Sequence, residues 1–285
     1  MMPIQPTIEP QRSPIDGSPH WTGPQQRRLT HPLTKTELQA YQQDGFLLIR
    51  SVFSPSEVDI FLREADRMVD YTFQTCLNLN LDANYNLRFE LLPNDQPWKI
   101  DPFISASLLL ATVVADRRLM DRLSSIYDGD EGVLFKDKPI FKPADSHGNG
   151  VHQDYNWWQG FPKSLLTVAV ALDQTSRESE CTEFWAGHQQ GFMHQSNTFD
   201  GQINPDWIAK QQHIYAEMKV GDIAIFSCFT PHAAAANKSG QLRRVMFLSY
   251  NNSQDGEHHT AHYSHFRWYR TRNMSSSERA KYYFI

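Results

Sequence analysis

Apolar positions along this chain follow a helical period in its first half and a strand period in its second. Thr34 stands three residues before Glu37, the reciprocal pair that opens a helix, and Gly45 ends that helix ahead of the apolar run Phe46-Leu47-Leu48-Ile49, a buried strand. Ser54-Pro55-Ser56-Glu57 opens a longer helix. Its apolar stripe, Val58, Phe61, Leu62, Ala65, Met68 and Val69, predicts one face packed on a core. Residues 76–97 are rich in Asn and Asp and predict an irregular segment near a pocket mouth. Trp98-Lys99-Ile100-Asp101 then leads into a helix over 105–110, and a second helix is expected over 117–127. From 133 to 252 strand-like runs dominate: Val133-Leu134-Phe135, the run 165–172, Ile223-Ala224-Ile225-Phe226 after the turn Gly221-Asp222, and the run 243–250. Separated by Gly, Pro and Asn turns, they predict a mainly β fold with flanking helices, a double-stranded β-helix (jelly roll, cupin-like).

At 285 residues the chain suits one such domain over 33–285, with its β core at about 133–252 and an aromatic and basic extension at 253–285. Residues 1–32 are rich in Pro, Gln, Ser and Arg, which predicts a flexible leader or a strap over the surface. A net charge of -5 supplies no basic footprint for nucleic acid. Cys76, Cys181 and Cys228 are too few and too scattered for a disulfide framework, and a reducing compartment is expected. With no apolar run of membrane length and no signal-peptide core, the expectation is a soluble, cytoplasmic protein with no membrane partner.

Candidate chemistry concentrates in His152-Gln153-Asp154 and His232. On a strand, His152 and Asp154 project to one face, and a second His from a distant strand completes a two-His-one-carboxylate triad of the kind that binds Fe(II) and leaves positions open for dioxygen and a cosubstrate. The tripeptide alone is a weak signal. Its context strengthens it: a Gly-rich turn precedes His152, and turn-then-strand signatures flank His232.

These residues, with Gly221-Asp222, Pro231-His232, Asn237-Lys238-Ser239 and Arg243, eleven positions after His232, resemble the phytanoyl-CoA dioxygenase family of iron- and 2-oxoglutarate-dependent oxygenases. The resemblance spans roughly 33–252 and includes the entry segments 41–50 and 53–58. It implies Fe(II) on His152, Asp154 and His232, with 2-oxoglutarate and O2 as cosubstrates, succinate and CO2 as products, and ascorbate as the assay reductant. The distal carboxylate of 2-oxoglutarate suits the bidentate fork of an Arg, which is Arg243 by family position. Arg244, next along the strand, points the other way. Lys99 and Lys142 match lysines of the family that reach the site, and Thr167 can add a hydroxyl donor. Because Asp154 is present where related halogenases carry a small residue, hydroxylation or a related oxidation is expected. Two departures from the family pattern bear on substrate: the turn 180–188 is altered, and Val170 stands where the fatty-acyl enzyme has an aromatic.

Substrate signals are fewer. Tyr155-Asn156-Trp157-Trp158 forms either an aromatic wall over the metal or packing at the barrel rim. Arg267, Arg270 and Arg272, interleaved with aromatics, can close over an anion. His258, His259, His262 and His265 read as a second metal site or as stacking and solvent-facing residues. Small bacterial relatives oxidise aminoalkylphosphonates, so a compact anionic metabolite such as 2-aminoethylphosphonate is the expected small-molecule partner. A non-catalytic cupin-like binding protein or a zinc-dependent hydrolase could also use the same three ligands. The pattern names no oligomeric state.

Overall fold

In a computed structural model of the chain, residues 28–193 and 203–285 are described. In order, the elements are α1 (Lys35–Asp44), β1 (Phe46–Ile49), α2 (Pro55–Asn78), β2 (Phe89–Leu91), β3 (Pro97–Ile100), α3 (Leu108–Val114), α4 (Arg117–Ile126), β4 (Gly132–Lys142), β5 (Asn149–His152), β6 (Leu166–Ala171), β7 (Thr182–Phe184), α5 (Pro205–Ile208), β8 (Ile214–Ala216), β9 (Ile223–Ser227), β10 (His232–Ala234), β11 (Arg243–Asn252), α6 (His259–Thr271) and α7 (Ser276–Arg279). The expected capping box at Thr34 forms, and Ser54 makes a second: the Thr34 and Ser54 side chains accept from the backbone of Glu37 and Glu57, whose carboxylates accept in return.

Two antiparallel sheets face each other. The larger runs β1-β9-β6-β11-β4-β3-β2 and the smaller β5-β10-β7-β8, which makes the mainly β, jelly-roll architecture expected from the strand pattern. Alternation along each strand sorts the two faces of the large sheet. Leu47, Ile49, Val168, Val170, Ile223, Ile225, Met246 and Leu248 point outward onto Val58, Phe61, Ala65 and Met68 of α2. Burying each large apolar side chain there contributes roughly 1.5–3 kcal/mol. Inward, Phe46, Ala169, Ala171, Ala224 and Phe226 meet Phe184 and Ala216 of the small sheet, and Phe46 stacks on Phe184 at 4.5 Å. The small inner residues let the sheets approach closely at this end. Polar residues occupy the other end.

Turn chemistry locks β1 to β9. Gly221 has φ +84°, and a Cβ there would lie 1.9 Å from the Phe53 carbonyl oxygen, so only glycine fits. The Asp222 carboxylate accepts from Arg50, from the Ser51 backbone and from the Lys219 backbone.

Several boundaries differ from expectation. The segment 76–97 is more ordered than its composition suggested: α2 continues to Asn78, and β2 and β3 add an edge to the large sheet. Trp98-Lys99-Ile100 therefore belongs to a strand, and the helix expected over 105–110 starts at Leu108. The extension after 252 contains a helix, α6, packed over β4. Of the leader expected over 1–32, only 28–32 lie within the described residues. There Thr30 and His31 donate to the Asp121 carboxylate on α4.

Candidate active site

His152 ends β5 and His232 opens β10, and the two are direct cross-strand partners. Asp154 lies just off the strand, at the start of a single 3₁₀ turn. The turn rather than strand alternation brings its carboxylate round: Oδ1 is 3.9 Å from Nε2 of both histidines. One ligand atom from each of the three lies within 4.8 Å of the others.

The surroundings suit metal ligation. In both imidazoles Nδ1 bonds a backbone carbonyl, His152 to Gly150 at 2.7 Å and His232 to Thr230 at 3.0 Å, which leaves each Nε2 lone pair directed inward. Burial first, then His232, pushes His152 down to about 3, so its ring is a neutral donor at pH 7. Burial would raise the Asp154 carboxyl, but the histidines and Lys138 outweigh it and keep the group below its ordinary value. Thr167 Oγ1 donates to Asp154 Oδ2 at 3.4 Å and meets Ser249 Oγ at 3.0 Å. Between the ligands, buried Gln153 donates to the Phe229 and Gly191 carbonyls and accepts from the Met193 backbone, pinning the motif to two loops.

Two cavities meet at this centre. The inner one is lined by Lys142, Thr167, His232, Arg243, Phe247 and Ser249 among others. Arg243 is buried on β11 opposite Lys142 of β4, and its guanidinium donates to the carbonyls of Ser179 and Glu180. Lys142 rests against the buried Glu180 carboxylate. Arg244 points to the other face, as alternation requires, and clamps Asp173 and Asp66. Val170 faces the helices, so that position does not touch the inner cavity.

The outer cavity, about 950 Å³, opens beside His152 and Asp154 and is walled by Trp98, Asn156, Trp157, Trp158 and the α6 residues His262, His265 and Phe266. Trp157 sets its edge against His152 at 4.9 Å. Tyr155, expected in this wall, lies instead in a separate apolar cluster with Phe135, Leu165 and Phe229, because the 3₁₀ turn directs it away from Asp154. Lys99 faces the outer cavity and pairs with Glu90 at 3.1 Å and Asp101 at 3.8 Å; it does not line the inner one. Arg270 lines the outer cavity and pairs with Glu90 at 2.7 Å. Arg267 lies on a different side of α6 and stacks on Phe284. The extension's histidines separate: His258 bonds the Asp255 carbonyl, His259 bonds Asp137, and His262 sits among aromatic rings. Among the described residues the triad is the one cluster of potential metal ligands.

Residues to which the motifs gave no role here complete the site: Lys138, Asn149 and Ser249. Lys138 was reachable from the pattern, since Lys136, Lys138, Ile140 and Lys142 share one face of β4, as their common lining of the cavities shows.

Comparison with known proteins agrees with this geometry. A methylphosphonate hydroxylase of Gimesia maris is 22% identical over 81% of this chain and 86% of its own length. A 2-aminoethylphosphonate dioxygenase from an uncultured bacterium is 32% identical, over 45% of this chain and 49% of the relative. Among solved structures, EctD from S. alaskensis with bound Fe superposes with a TM-score of 0.69 at 20% identity, covering 80% of each chain. The epimerase SnoN, in complex with Fe3+, alpha ketoglutarate and nogalamycin RO, gives 0.63 at 18% identity over 77% of this chain and 83% of its own. The family model for phytanoyl-CoA dioxygenase matches residues 41–245, from the first helix to the strand that carries Arg243, and the chain belongs to that family.

Proposed function

We propose that the protein is an Fe(II)- and 2-oxoglutarate-dependent dioxygenase that hydroxylates a C–H bond of a small, polar, anionic metabolite and releases succinate and CO2. A phosphonate such as 2-aminoethylphosphonate is the first candidate substrate. The observation that carries the reading is the His152, Asp154 and His232 cluster, with both Nε2 atoms aimed inward and two cavities meeting beside it. Ferrous iron held there supplies, with dioxygen and 2-oxoglutarate, the oxidising power for C–H hydroxylation.

The residues divide the remaining work. The Gly150 and Thr230 carbonyls fix the tautomers of the two histidines, and Thr167 steadies Asp154. Arg243, whose burial lowers the guanidinium below its ordinary value without removing its charge at pH 7, holds the distal carboxylate of 2-oxoglutarate in the inner cavity. Trp157 and Trp158 shield the centre from water. Two relatives named for phosphonates support the substrate class. Three unpaired, buried cysteines suit a reducing cytoplasm, and among the described residues no helix is long and apolar enough to cross a membrane.

The test is succinate release by purified protein given Fe(II), ascorbate and 2-oxoglutarate, with methylphosphonate, 2-aminoethylphosphonate and carboxylate analogues added singly. One of them should stimulate turnover, and His152→Ala or Asp154→Ala should abolish it while circular dichroism stays unchanged. Normal turnover by either variant would refute the site. Hydrolysis of a panel compound without 2-oxoglutarate consumption would replace the oxygenase with a hydrolase.

A further inference from the structure

Five cations of the large sheet face the two cavities: Lys99, Lys136, Lys138, Lys142 and Arg243. Three have acidic partners. Lys99 and Lys136 share the fully buried Asp101 carboxylate, with Lys136 at 3.2 Å, and Lys142 rests on Glu180. Arg243 bonds only neutral carbonyls and is the cation suited to the cosubstrate. That leaves Lys138. It has no hydrogen bond or ion pair among the described residues, and its ammonium sits 5.6 Å from the centre of the Phe247 ring.

Its position gives that missing partner a meaning. Lys138 lines the inner and the outer cavity alike, so it stands at their junction. In the inner cavity it shares the lining with His152, Asp154 and His232. A half-buried ammonium with no contacting counter-charge is costly, since Asp101 and Asp154 act on it only through space. A ligand anion removes that cost. A second observation points to a polar guest: His262 of α6, 4% exposed and lining the outer cavity, has both ring nitrogens without a partner.

We propose that Lys138 is the substrate's anion anchor, a specificity-determining residue that fixes a phosphonate or carboxylate group at the cavity junction so that the adjoining carbon faces the triad. The proposal rests on the oxygenase reading for what happens to that carbon, but not for the binding itself. Burial, with Lys136 and Lys99 next, pushes the Lys138 ammonium down to about 8 although Asp101 and Asp154 draw it up, which agrees with a cation that has no contacting counter-charge. Lys136 is no substitute, because Asp101 already neutralises it.

Calorimetric titration of the iron-loaded protein with 2-oxoglutarate, without oxygen, tests this with two probes, 2-aminoethylphosphonate and its carboxylate counterpart 3-aminopropanoate. Lys138→Met should weaken the bound probe about ten- to hundredfold, the loss expected for one charged hydrogen bond. Lys138→Arg should restore affinity to within about threefold, and Fe(II) and 2-oxoglutarate affinities should stay at the wild-type value in both variants. Binding of the phosphonate alone, or of both probes, identifies which anion the anchor takes. Wild-type affinity in Lys138→Met overturns the proposal. So does an equal loss of iron affinity, which would mark a structural role. Wild-type protein that consumes 2-oxoglutarate but binds neither probe overturns the anchor and leaves the oxygenase standing. Lys138-dependent probe binding by protein that binds no 2-oxoglutarate does the reverse.

Discussion

Thr167→Val separates two roles that its position on β6 permits: a donor to the cosubstrate or a brace for Asp154. Valine keeps the shape, and the residue is 2% exposed, so no cavity opens. The change deletes one hydroxyl that spans 3.4 Å to Asp154 Oδ2 and 3.0 Å to Ser249 Oγ. Losing the shorter bond and stranding the Ser249 hydroxyl costs about 1–2 kcal/mol of stability, a melting shift of a few degrees in a domain this large. The longer bond lies near the limit of useful geometry, so its loss should weaken metal binding about three- to tenfold, below the roughly 10–100-fold typical of well-formed partners that orient a ligand. Anaerobic Co(II) titration followed by absorbance, beside 2-oxoglutarate titration by calorimetry, reads both quantities. Unchanged metal affinity with a tenfold loss for 2-oxoglutarate would refute the brace and make Thr167 a cosubstrate donor.

The adjacent arginines of β11 should separate by assay. Arg243→Met raises the apparent KM for 2-oxoglutarate at least tenfold in the succinate assay, whereas Arg244→Met leaves it within about twofold and costs about 1.5–3 kcal/mol in urea unfolding, mostly from the Asp173 pair, since the Asp66 carboxylate is exposed. Asp222 gives stability an acid limb. Burial would raise its carboxyl, yet the Arg50 bond and the backbone N–H groups of Ser51 and Lys219 hold it below its ordinary value. A depressed folded value means the stabilisation is complete above the unfolded value of about 4 and is lost as pH falls through the folded one. Wild type should therefore exceed Asp222→Asn in melting temperature at pH 6 and converge with it toward pH 3; a constant gap would refute the assignment.

Local signals carried much of this structure, and the exceptions share a cause. The boxes at Thr34 and Ser54 are complete within four residues, so their helices were readable. Arg243 and Arg244 were assigned to opposite faces by alternation alone, and the structure agrees. By contrast, β3, which carries β2 on its outer edge, joins β4 across some forty residues, and nothing local in an Asn- and Asp-rich segment announces that pairing. Asp154 shares a face with His152 because of a turn that no alternation rule foresees. The same turn sends Tyr155 away from the site. Lys138 went unremarked because its meaning is relational: Asp101 pairs with Lys136 and makes no ion pair with Lys138, which stands where both cavities meet. Charge pairing of that kind belongs to the tertiary structure.

The Arg244 clamp has a further consequence for β11. A strand with two consecutive arginines is ambiguous: slipped by one residue, it would still offer a guanidinium to the barrel interior, but with every neighbouring side chain reversed. The acids outside remove the ambiguity. Asp173 accepts from the Arg244 backbone and from its guanidinium, while Asp66 reaches it from α2. The outer arginine thus works as a proofreading contact, reporting on the far side of the sheet whether the inner one has been dealt to the right place.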